Sequence, residues 1–129
     1  MDMKELVKKG YKFRGWDAVG NKGWVYGDLV HNKKVTKTGL EDRVMVGGYE
    51  VVPESVGIFT GLKDCNGHDI YEGDICSISC FSRLIYAKIV YIYFKAAFYF
   101  NGEGCQFPID YASTFKKIGT VYENPDMIK

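Results

Sequence analysis

Residues 84–94 read Leu-Ile-Tyr-Ala-Lys-Ile-Val-Tyr-Ile-Tyr-Phe, and most of these side chains are β-branched or aromatic. Such residues suit a pleated strand. Alternation places Leu84, Tyr86, Val90, Ile92 and Phe94 on one face, broken by Lys88. Ile85, Ala87, Ile89, Tyr91 and Tyr93 fall on the other. A strand apolar on both faces lies at the centre of a sheet or beneath another chain. The rest of the chain must therefore supply a sheet around it. Composition agrees: 16% of the 129 residues are aromatic, which favours strands over helices. The length fits one domain, residues 1–129.

Glycine-rich turns divide the remainder into short strands. Residues 2–9 read as a flexible arm or a short helix. Tyr11-Lys-Phe-Arg-Gly-Trp-Asp17 alternates aromatic and polar side chains and pairs with Trp24-Val-Tyr26 across Gly20–Gly23, forming an N-terminal β-hairpin. His31–Lys34 reads as a turn, and residues 35–43 show no period. Gly47-Gly48 is a tight turn or bulge between Val44–Val46 and Tyr49–Val52. Asn66-Gly67 tolerates the positive φ of a tight hairpin and joins a strand near 56–62 to one near 70–71. Glu72-Gly-Asp74 turns into Ile75–Phe81, where Cys76, Ile78 and Cys80 share one face. Residues 101–104 join Phe98–Phe100 to Gln106-Phe107, and a last strand runs over 115–122. Seven or eight short strands describe an all-β, small barrel-like domain, SH3-like or a pseudo-barrel, with little helix.

Charge excludes a dedicated duplex binder, because the net charge is +1 and phosphate neutralisation needs many cations. The charge is uneven: residues 1–40 hold nine basic and four acidic side chains, a net of +5, and residues 41–129 net −4. The start of the chain lacks the apolar core of a signal peptide. No stretch approaches the roughly 18 apolar residues of a membrane span. The expected location is the cytosol in which the chain is made, away from membrane, with the four cysteines reduced.

Three segments in order, Phe13-Arg-Gly-Trp-Asp17, Thr60-Gly-Leu-Lys-Asp-Cys-Asn-Gly-His-Asp-Ile-Tyr-Glu-Gly-Asp-Ile75 and Ile118-Gly-Thr-Val-Tyr-Glu-Asn-Pro125, resemble the YopX family of phage and prophage proteins. The match touches both ends and the middle. It implies an all-β, barrel-like protein of phage origin, and it implies no reaction and no catalytic residue. The cysteines at 65, 76, 80 and 105 are not part of that pattern.

The candidate sites are few. Asp64, Asp69, Glu72 and Asp74 crowd together with His68 among them. Carboxylates so grouped can hold a metal for phosphodiester hydrolysis, but turn chemistry explains the same residues. Cys65 and His68 have the spacing of half a zinc site, without a second half. Arg14 and Trp16 would share a strand face and stack, as a binding surface or as a latch inside the fold. Tyr86, Tyr91, Tyr93 and Phe98 offer an aromatic surface for a second copy of the chain, or for single-stranded bases. Arg83, Lys88 and Lys95 are thin cationic support for the latter. No phosphate loop, nucleophile elbow or metalloprotease motif is present. The resulting expectation is a non-enzymatic binding protein without a cofactor. It forms a homo-oligomer or meets a phage or host protein. A single-stranded nucleic-acid binder is the alternative, and a metal-dependent nuclease built on Asp69, Glu72 and Asp74 is the third reading.

Overall fold

The computed structural model describes residues 12–80, 82–102 and 104–127, with Cys80 described by its backbone only. The arm expected over 1–9 lies outside the described residues. The chain falls into two compact units divided between Ile58 and Phe59.

In the first unit β1 (Phe13–Trp16) pairs antiparallel with β2 (Trp24–Gly27), which is the expected N-terminal hairpin. Asp17 shapes the connection. Its Oδ1 accepts the N–H groups of Val19 and Gly20, both at 3.1 Å, and its own N–H reaches the Gly23 carbonyl at 2.9 Å. The N–H donors of Gly20 and Val19 hold its carboxyl below the ordinary carboxylate range. Next come β3 (Leu29–Thr36) and β4 (Gly39–Val46), paired over all eight residues of each strand, and the two-residue β5 (Tyr49–Glu50). The turn between β4 and β5 is Gly47-Gly48 with φ of 59° and 87°, the positive pair a type I′ turn requires. Val25, Val46 and Val51 form the core, with Phe13, Leu29, Val44 and Val56 packed on it.

The turn expected at His31–Lys34 is not formed: these residues lie within β3, and the reversal is at Lys37-Thr38. The unperiodic stretch 35–43 is the distal half of the same hairpin. Both of its faces are largely exposed, so no apolar alternation marks it. Cross-strand polar pairs join its strands instead. Lys33 Nζ lies 2.7 Å from Asp42 and Arg43 Nε donates to Asn32 Oδ1 at 2.6 Å, while Lys34 reaches past β4 to Glu50 of β5 at 3.0 Å.

β6 (Gly57–Lys63) begins beside β1, where Ile58 pairs with Phe13. Its later residues belong to the second unit and pair with β7 (Asp69–Tyr71) across the Asn66-Gly67 tip, where Gly67 has φ 83° as expected. β8 (Asp74–Cys80), β9 (Arg83–Ile92), β10 (Ala97–Gly102), β11 (Cys105–Pro108) and β12 (Lys116–Thr120) form one antiparallel sheet in the order β11-β10-β9-β8-β12. The doubly apolar strand β9 is thus central. Its Ala87 and Ile89 join Ile70, Cys76, Phe100, Ala112 and Phe115 in the core. The expected all-β fold with little helix is present: among the described residues helix is limited to short 3-10 turns. The expected barrel-like closure is not found: among the described residues the strands lie in several open antiparallel sheets whose edge strands do not pair with one another.

Candidate functional site

Arg14 is 2% exposed, and its guanidinium lies 4.3 Å over the ring of Trp24. The ring expected beside it was Trp16, and the β1–β2 register brings in Trp24. Trp24 stands opposite Trp16, so Arg14 meets it on the diagonal of the ladder. Trp16 meets Trp24 edge-on at 5.2 Å, and the Trp16 backbone N–H donates to Ser55 Oγ at 2.7 Å. The three side chains pack on one another within the hairpin, and a buried guanidinium presents little to a partner.

The acidic cluster is built into turns. Asp64 Oδ1 accepts the N–H groups of Asn66 at 2.9 Å and His68 at 2.8 Å, and its Oδ2 accepts that of Lys117 at 2.9 Å. Burial pushes this carboxyl up, but the donors from Lys117, His68 and Asn66 and the nearby His68 ring outweigh burial, and the carboxyl ends below its ordinary value. Asp69 pairs with Lys63 at 2.7 Å. The fully buried Asp74 accepts the Tyr71 N–H at 2.7 Å and has Lys117 Nζ at 3.3 Å. Among the described residues no three His, Cys, Asp or Glu side chains stand together as metal ligands. Neither the nuclease constellation of Asp69, Glu72 and Asp74 nor a zinc site at Cys65 and His68 is assembled. The carboxylates are directed to backbone donors and lysines in the turns that hold the chain. Cys65, Cys76 and Cys105 are thiols and form no disulfide.

The aromatic candidates separate by position. Phe98 is half-buried against the core and meets Tyr91 edge-on at 5.1 Å. Tyr86 and Tyr91 are about half exposed. Beyond them β9 ends in a 3-10 turn over Tyr93–Lys95, closed by Ala96 in the left-handed region at φ 51°. There Tyr93 is 82% and Phe94 75% exposed, edge to face at 5.7 Å, and Lys95 Nζ lies 5.0 Å over Tyr99. Phe94 belongs with the candidates. Strand alternation had placed it on the opposite face from Tyr93, and the turn brings the two rings together.

A second feature has no signal in the periodicity. His31, Asn32, Lys33, Asp42, Arg43, Val44 and Pro53 line a groove of about 510 Å³ beside the β3–β4 hairpin. Within it the hydrogen bond from Lys33, and its charge, hold the Asp42 carboxyl below its ordinary value.

No helix of the described residues is long and apolar enough to cross a membrane. The crystal structure of a protein from Enterococcus faecalis is similar over 92% of this chain and 97% of its own, at 23% identity and a TM-score of 0.49. Among curated proteins no relative matches. The model of the YopX protein family matches residues 12–129, nearly the whole chain and all three of the segments that pointed to it. The chain belongs to the YopX family.

Proposed function

We propose that this protein is a phage- or prophage-encoded accessory factor of the host cytoplasm that acts by protein–protein contact rather than by catalysis. The observation that carries the reading is the β9–β10 tip, where Tyr93 and Phe94 stand exposed against each other. Aromatic anchors of this kind dominate binding energy at protein interfaces. Tyr91 carries the surface back onto the end of β9, with Phe98 beside it across the ladder, while Tyr86 lies on the opposite face of the strand. The first partner is another copy of the chain, and the second is a phage or host protein. The opposite charge of residues 1–40 and 41–129 helps orient such partners.

Light scattering at several concentrations, on the wild-type chain and on Tyr93→Ser/Phe94→Ser, tests the contact. The wild type is expected to have the larger mass throughout, rising with concentration. Equal masses at every concentration would overturn self-association through this tip. Capture from infected cells then reads the second class of partner: the wild type should retain a protein that the double variant loses. Lys95 beside Tyr99 is the observation that keeps single-stranded nucleic acid as the alternative ligand.

A further inference from the structure

The β3–β4 hairpin has two open edges, and they are complementary to each other. The two-residue turn at Lys37-Thr38 makes Thr36 and Gly39 the closing pair, which must exchange hydrogen bonds. Alternation from that pair points the backbone groups of His31, Lys33 and Val35 out from the free side of β3, and those of Leu40, Asp42 and Val44 out from the far side of β4. The structure checks this count. The Val44 carbonyl accepts the Val51 N–H at 3.0 Å on that far side. β5 pairs only with Met45 and Val46, so the edge of β4 beside Leu40 and Asp42 is open. Among the described residues no hydrogen bond reaches the outward backbone groups of His31, Lys33, Val35, Leu40 or Asp42. Unpaired edges of this kind accept strands.

The edges also differ in charge. β3 carries His31, Lys33 and Lys34 with no acid, and β4 carries Glu41 and Asp42 on its open stretch. Within one hairpin Lys33 already faces Asp42 at 2.7 Å, and Val35 faces Leu40. The same register is available on the outer side of β3, because the outward residues there, 33 and 35, match the outward residues 42 and 40 of another β4. Val35 and Leu40 are 84% and 65% exposed. A two-stranded ribbon left in water is marginal, and a third strand stabilises it.

We infer that the open edge of β3 takes β4 of a second copy, adding the hairpins edge to edge in the register that each already uses internally. Lys33 then lies between two Asp42 carboxylates, Val35 between two Leu40 side chains, and Lys34 faces a second Glu41. Each copy offers one basic and one acidic edge, so the contact is head-to-tail and continues into a ring or a filament. It is separate from the aromatic contact proposed above.

The test is therefore made in the Tyr93→Ser/Phe94→Ser chain, where the aromatic contact is removed, so the two contacts fail or survive independently. Its mass should rise with concentration and fall with added salt. Lys33→Pro and Asp42→Pro each remove one outward N–H and leave the β3–β4 ladder intact. Each should sediment as a single chain. Mixed one to one they should form a two-chain complex and nothing larger, since each supplies the edge the other lacks. A background chain that stays single at high micromolar concentration overturns the inference, as do proline variants that assemble like their parent or a mixture that stays single. Hydrogen exchange on the unsubstituted hairpin covers the case of a proline variant that does not fold. The amides of Lys33 and Val35 should become more protected as concentration rises, and unchanged exchange overturns the contact.

Discussion

Asp64 shows how one side chain can organise a turn and the strand beside it. Three backbone N–H groups converge on its two oxygens, from Asn66 and His68 within the turn and from Lys117 on β12. Asp64→Asn keeps the shape, but whichever way the amide is turned its NH₂ meets a backbone N–H. The expected loss is about 1–3 kcal/mol, the usual cost of leaving such a donor unsatisfied, read by denaturant unfolding. The pH dependence has a definite sign. The folded carboxyl lies below the unfolded value of about 3.9, so its contribution is complete above that value and is lost as pH falls through the folded one. The acid limb of the stability profile should be shallower in Asp64→Asn, and identical slopes would contradict this account. Two exposed glycines make a second comparison. Gly67 has φ 83° and open space around it, so alanine there meets only the left-handed penalty of about 1–2 kcal/mol. A Cβ on Gly47, at φ 59°, would come within 2.3 Å of the Tyr26 carbonyl oxygen. Gly47→Ala should therefore destabilise more than Gly67→Ala, and the reverse order in matched melts would show the approach to be relaxed. Asn66-Gly67 was legible because its residue types name the turn; the close approach at Gly47 involves residues distant in sequence and was not.

Elements were legible where one face is buried and the other is not, or where both are. β1, β8 and β9 carry alternating or continuous apolar patterns because their side chains pack. The distal β3–β4 hairpin carries none, because solvent lies on both sides, and a run of Lys, Asn and Thr then reads as a loop. The acidic cluster was legible as turn chemistry, while the Tyr93–Phe94 pairing was hidden by a 3-10 turn that ends strand alternation two residues early. Packing and exposure give opposite expectations for two aromatic residues of the second unit. Phe115 is fully buried and lies 4.7 Å from Phe100. Phe115→Ala removes a ring from the core and should destabilise by about 3–5 kcal/mol. Tyr93→Ser touches an exposed ring and should stay within about 0.5 kcal/mol of wild type. Thermal melts of both variants check the contrast, and a large loss at Tyr93 would mean that its ring packs within the chain.

At the scale of the whole molecule, charge decides between the two classes of ligand that the exposed aromatics suit. The boundary between the compact units falls inside β6, where no linker composition marks it, and the net charge of the whole chain is +1. Several of its cations are also already committed. Lys33 pairs with Asp42, Lys34 with Glu50, Lys63 with Asp69 and Lys117 with Asp74. A nucleic-acid strand must either break these pairs or bind beside them, and each broken pair returns part of the electrostatic gain. Affinity for single strands rests on stacking together with phosphate neutralisation, and the second term sets its salt dependence. At the aromatic tip Lys95 is the one lysine of the turn, over Tyr99, which is little neutralisation for a tract of several phosphates. Titration of a labelled oligothymidylate at low salt should therefore give no saturation at micromolar protein. The tip variant Tyr93→Ser/Phe94→Ser should behave as the wild type does. A micromolar or tighter complex that weakens steeply as salt is raised, and that is lost in this variant, would move the aromatic surface from protein contact to nucleic-acid binding.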